Sequence, residues 1–159
     1  MFGRRRLPRT LRPALSRDER VVAWASTSDG RAIVVTNLGL WLPDRTERLG
    51  WHHIHRAAWS DPVLSVVPAA EVGTGEGYVV MADEPSVVIS LDDPDDVPLE
   101  VRNRVNRSVA STMHHDLPEG GVRVVARRVP GRNGIVWHVR FDDDIEPFPV
   151  DLEALGASA

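Results

Sequence analysis

From Glu19 onward the apolar residues fall in short runs divided by turn-forming residues. The runs are Val21 to Ala25, Ala32 to Val35, Leu40 to Leu42, Arg56 to Trp59, Val63 to Val67, Tyr78 to Met81 and Val87 to Leu91. Runs this short, rich in Val and Ile and broken by Asp, Asn, Gly and Pro, predict seven strands. The breaks are Ser28-Asp29-Gly30, Asn37 to Gly39, Asp61-Pro62 and Asp83-Glu84-Pro85, each short enough for a hairpin. Parallel strands need crossovers of about a dozen residues. The spacing therefore predicts an antiparallel meander.

After Asp92-Asp93-Pro94-Asp95-Asp96 the period changes, because Val101, Val105, Val109 and Met113 recur at i+4 while Arg102, Asn103, Asn106 and Arg107 fall between them. This predicts one amphipathic helix over about 97–116, with Asp96 as its cap, Pro98 in its first turn, and His114 and His115 at its negative end. Leu117 to Gly121 stops it. Val122 to Val129 and Ile135 to Phe141, joined by Pro130 to Gly134, then predict a β-hairpin over about 122–141 that extends the sheet or forms a dimer contact. The expected division is a disordered basic arm (1–16), a domain (17–117), the hairpin extension (118–146) and a flexible tail (147–159).

Seven antiparallel strands followed by one helix is the element order of the pleckstrin-homology (PH) superfold. Locally, Thr36-Asn37, then Gly39-Leu40-Trp41-Leu42, then Trp51-His52-His53-Ile54 resembles the pattern "T-N-x-x-L" followed by "W-x-x-I" of bacterial PH-like proteins. The resemblance spans about residues 18–117 and rests on turn and core positions. It implies a mainly β, α+β fold, a bent seven-stranded sheet or barrel capped by the helix, with Trp41, Trp51 and Ile54 on its inner face. It also implies a non-enzymatic binding or scaffolding module for a protein partner or for self-assembly, with no small-molecule substrate. Relatives that bind phosphoinositides use Lys and Arg around the loop between the first two strands. Here that loop, Thr27-Ser28-Asp29-Gly30-Arg31, has one Arg beside an Asp, which argues against such recognition.

Charge divides the chain unevenly. All 19 basic residues are arginine, as a high-GC genome favours, and seven of them lie in the first 20 residues against only Asp18 and Glu19. Since the whole chain carries a net charge of −4, a basic arm precedes an acidic body. Arg4, Arg5, Arg6, Arg9 and Arg12 are the candidate anion-binding residues, for an anionic membrane surface or nucleic acid. Against this stands a solubilising tail or one that folds back on the acidic body. No apolar run approaches the roughly 18–20 residues that span a bilayer, and Arg4-Arg5-Arg6 leads into Leu7-Pro8-Arg9, not into a signal core. The expected location is cytoplasmic, with peripheral membrane contact as the variant.

The chemistry-bearing residues form no catalytic set. Absence of cysteine removes disulfides and thiolate chemistry together, and no serine stands in a nucleophile elbow. The expectation is no enzyme and no cofactor. His53 and His55, at i and i+2 of a strand, share a face and are candidate metal ligands with His138 or His115, the alternative being a metal-binding protein or metal-dependent enzyme, although surface or turn histidines explain them as well. Gly73-Thr74-Gly75-Glu76-Gly77 leads into a strand, not a helix, and so reads as a flexible hairpin loop instead of a phosphate cradle. The acidic runs 92–96 and 142–144 lack the ligand spacing of a calcium loop. An exposed tryptophan beside Arg56 or Arg140 would mark a partner surface.

Overall fold

A computed structural model describes residues 6–157. The fold is mainly β with one helix: β1 (Val21–Thr27), β2 (Ala32–Thr36), β3 (Gly39–Trp41), β4 (Leu49–Gly50), β5 (Ile54–Ser60), β6 (Val63–Gly75), β7 (Tyr78–Asp83), β8 (Val87–Asp92), α1 (Val97–Ser108), β9 (Val109–Leu117), β10 (Gly120–Arg128) and β11 (Ile135–Phe141). The mainly β class agrees with the sequence. The sheet is open, because its order runs β4-β3-β2-β1-β8-β6-β7-β11-β10-β9 with β5 on β6, and its ends do not pair with each other.

The long strand β6 divides the molecule into two layers. Its first half pairs with β5 and β8, and its second half pairs with β7. On one side β1–β5, β8 and α1 enclose the larger core, in which Ile33, Val35, Leu40, Ile54, Leu64 and Val66 are fully buried. Trp51 and Ile54 join this core as expected, whereas Trp41 is buried on the opposite face of the sheet, against Leu7 and Val34. The Thr36-Asn37 turn is closed by side chains: Thr36 Oγ1 accepts from Leu38 N and Gly39 N, both at 3.1 Å, and Asn37 Oδ1 accepts from Arg20 N at 2.7 Å. Gly39 is required there, since a Cβ would run into Leu49 O and the Arg48 side chain.

On the other side β7, β11, β10 and β9 form the second layer of the same sheet, with side chains that alternate between two faces. Val122, Val124, Val139, Met113, Leu117 and Trp137 face a second core. That core is covered by the chain after β11. Val150 and Ala157 are buried, Val150 N donates to the Tyr78 hydroxyl at 3.0 Å, and Phe148 meets Phe141 edge-on at 4.9 Å. Residues 147–157 are thus a packed strap where a flexible tail was expected.

Four further expectations are corrected. The helix ends at Ser108, not near 116, because Ser108 Oγ bonds back to Val105 O at 2.7 Å and Val109 turns extended (φ −86, ψ 114) to pair with β10. His114 and His115 therefore lie on a strand. Asp96 occupies the N-cap position of α1 but makes no capping hydrogen bond with its side chain. β7 and β8 do not pair with each other: β7 runs parallel to β11 and β8 joins β1 to β6, so the meander is broken at Asp83-Glu84-Pro85. Gly73 to Gly75 belong to β6, and only Glu76-Gly77 form the turn, with Gly77 at φ +82.

The N-terminal segment also differs from a mobile arm. Leu7 is buried against Val34 and Trp41, with Leu11 and Leu15 beside it. Arg6, Arg9 and Arg12 are exposed; Arg4 and Arg5 lie outside the described residues. Arg6 and Arg12 line a surface depression together with Asp95 and Asp96, as for a segment folded back on the acidic body. Among the described residues no helix is long and apolar enough to cross a membrane.

Candidate functional site

The second face of the C-terminal sheet looks toward the start of β5, and there the chain gathers arginines and histidines around the buried Arg127. Arg123, Val125 and Arg127 alternate along β10, His138 and Arg140 along β11, and Thr112 lies on β9. Across from them the turn Trp51–His53 and the first residues of β5 supply His52 and His55. Between the two layers lies a cavity of 140 Å³. Three arginines (Arg123, Arg127, Arg140) and three histidines (His52, His55, His138) line it together with Ala69, Val109, Thr112 and Val125. No Asp or Glu is in that lining.

Arg127 is the centre of the arrangement. It is 5 % exposed and is held by main-chain oxygens alone: Nε donates to His52 O at 3.3 Å, and Nη2 to Trp51 O at 3.4 Å and to Ile54 O. Burial, and then the Arg140 charge, pull its guanidinium down to about 10. Carbonyl dipoles orient a cation but leave its net charge in place. Arg140 is partly compensated, since Nη2 meets Asp83 and stands 3.1 Å from His55 Nδ1, which itself is 2.9 Å from Asp83. Arg123 is exposed and, among the described residues, makes no ion pair.

Burial pushes the imidazoles of His52, His53, His55 and His138 toward the neutral form. Burial lowers His52 to about 3, helped by His53, His138 and Arg127, and lowers His138 to about 4, helped by Arg127 and His53. His53 and His55 are lowered as well, again first by burial. His52 and His53 touch at 4.0 Å between ring centroids, and His53 stacks on His138 at 6.1 Å with an 11° interplanar angle. A wider opening of 680 Å³ lies beyond them and shares His52 and His138 with the cavity. Gly50 makes the fit possible, because a Cβ there would strike the His52 ring.

No family model, no curated protein and no solved structure matches this chain. The reading of the site therefore rests on its geometry.

Of the metal candidates, His53 and His138 do come together, but His55 turns to Asp83 and the three do not converge on one point. In the loop between β1 and β2, Arg31 is tied to Asp29 at 2.5 Å and to Asp44, so its charge is spent within the chain. No described tryptophan is exposed: Trp24, Trp59 and Trp137 are half-buried. Sequence reasoning missed Arg123 and Arg127 as site residues. Their signal was present in the alternation Arg123-Val124-Val125-Ala126-Arg127, two cations at i and i+4 on one face of a strand. What that face meets was not visible.

Proposed function

We propose that the chain is a non-enzymatic PH-like binding module whose protein partner inserts an acidic group into the cavity between its two β layers. The observation that carries this reading is one lining with three arginines and three histidines and no carboxylate. A carboxylate entering there gains charge-assisted hydrogen bonds from the buried Arg127 and the exposed Arg123, and such bonds are roughly twice as strong as neutral ones. The neutral imidazoles of His52 and His138 add donors without adding charge. A small, partly apolar cavity with a few convergent polar groups is the usual form of a recognition site. The arm is the lesser candidate, since Arg6 and Arg12 lie beside Asp95 and Asp96.

The test is a fluorescence-anisotropy titration of the full chain with a labelled hexaglutamate peptide, run beside a hexaglutamine control. Binding of the acidic peptide alone, weakened about tenfold or more by Arg123→Glu, is the expected result. Arg123 is exposed, so its reversal leaves the fold intact. Equal binding of both peptides, or no effect of the reversal, sinks the proposal.

A further inference from the structure

The face that carries the cationic cavity ends in a second cluster of opposite character, and the strand register explains how it is built. Asp116 on β9 stands directly opposite Gly121 on β10. On the other side of β10, Asp142 follows β11 and donates its N–H to Gly121 O at 3.0 Å. The row across the three strands thus reads carboxylate, glycine, carboxylate. A side chain at 121 would close the gap: its Cβ would overlap the Asp142 carboxylate and stand 3.1 Å from His114 Nε2.

His114 turns into the space that Gly121 leaves. It lies two residues before Asp116 and so on the same face of β9. Its Nε2 is 3.0 and 3.1 Å from the two Asp142 oxygens, and its Nδ1 is 3.8 Å from Asp116 Oδ1. One nitrogen of His114 and one oxygen of each aspartate lie within 4.8 Å of one another.

We infer that His114, Asp116 and Asp142 form a binding site for a divalent transition metal of the zinc class. Ligands about 2.0–2.2 Å from a tetrahedral ion stand about 3.3–3.6 Å apart, so the three atoms within 4.8 Å of one another must draw in, with His114 turning one nitrogen toward both carboxylates. As it stands, the imidazole bridges the two carboxylates, a role the ion takes over once His114 supplies a single nitrogen. One imidazole with two carboxylates selects zinc or its neighbours over magnesium and calcium, which favour all-oxygen sets. All three side chains are exposed, leaving the remaining coordination positions to water. The doubly positive ion matches the two carboxylates, while Arg123, paired opposite His114, opposes it. This site shares no ligand with the cavity of the proposed function and does not depend on it.

The test is calorimetric titration of the untagged full-length chain with zinc chloride, with magnesium chloride as the comparison. One zinc per chain is expected, with no magnesium binding. Asp142→Asn and His114→Gln should each weaken it tenfold or more, Gly121→Ala should weaken it by displacing Asp142, and Arg123→Ala should tighten it. Asp142→Asn keeps the shape of an exposed side chain, and circular dichroism checks that the variant is folded. The inference is overturned by the absence of saturable zinc binding, by zinc affinity unchanged in Asp142→Asn and His114→Gln, or by loss of zinc only in His53→Gln or His138→Gln.

Discussion

Glu19 is the residue on which the N-terminal third converges. Its side chain is fully buried and accepts hydrogen bonds from Thr36 Oγ1 at 2.6 Å, Trp41 Nε1 at 2.9 Å and Ser16 N at 3.0 Å, with Arg48 Nη1 at 2.8 Å. Burial alone would raise its pKa, but Thr36, Trp41, the Ser16 amide and Arg48 together bring it below the usual value of 4.5. Replacing it with Ala leaves a hydroxyl, an indole N–H and a guanidinium without their acceptor. The expected cost is about 2–4 kcal/mol, read as a lower denaturation midpoint with an unchanged slope. Since the folded pKa is depressed, this stabilisation is present above pH 4.5 and is lost as pH falls through the folded value. The advantage of the natural chain over Glu19→Gln should accordingly shrink below about pH 4. Sequence pattern could not show this: the four partners come from separate segments, and an acid before a strand reads as surface. Trp41 and Trp51 were legible because a large aromatic between β-formers has few places to go other than the core.

At the scale of elements, a docked N-terminal segment and a strand in place of half a helix are what the pattern concealed. Residues 1–16 carry too many arginines and two prolines for a period to emerge, and Leu7 becomes a core residue only because Val34 and Trp41 present an apolar surface to it. Leu7→Ala should cost about 1–3 kcal/mol, for a side chain buried at the edge of a small cluster. Deleting 1–16 should lower the melting temperature by several degrees in a scan followed by tryptophan fluorescence. A mobile arm predicts no change, so the two accounts part clearly. The helix was misjudged for a different reason. Val101, Val105, Val109 and Met113 keep the i+4 spacing, yet Met113 and Leu117 on one face and Thr112, His114 and Asp116 on the other also fit a period of 2. Local pattern permits both for residues 109–117. Pairing with the whole length of β10 decides the matter, and β10 lies later in the chain.

At the scale of the molecule, the feature on which the proposed function rests is the joint between layers, which no local pattern announces. It depends on β6 serving both layers and on β7 pairing in parallel with β11 across 59 residues of sequence separation. Both contacts are non-local, and their result is to enclose His52 and His138 beside Arg127. The unfolded chain protonates these imidazoles near pH 6.5, whereas the folded chain resists until about pH 3 for His52 and about pH 4 for His138. Through that window the unfolded state holds more protons, so stability rises with pH and falls steadily as pH drops from about 6.5 toward 4. This window opens well above that of Glu19 and overlaps it only below pH 4.5, so the loss between pH 6.5 and 4.5 belongs to the imidazoles. The melting temperature of the natural chain should decline between pH 6.5 and 4.5, and His138→Gln should flatten the decline without removing the steeper loss below pH 4.5. An acidic peptide bound between the layers would favour the protonated imidazoles. Where the bound carboxylate makes either imidazole titrate above pH 5.5, affinity increases as pH is lowered from 7 to 5.5, and His138→Gln should remove the part of the increase that His138 carries.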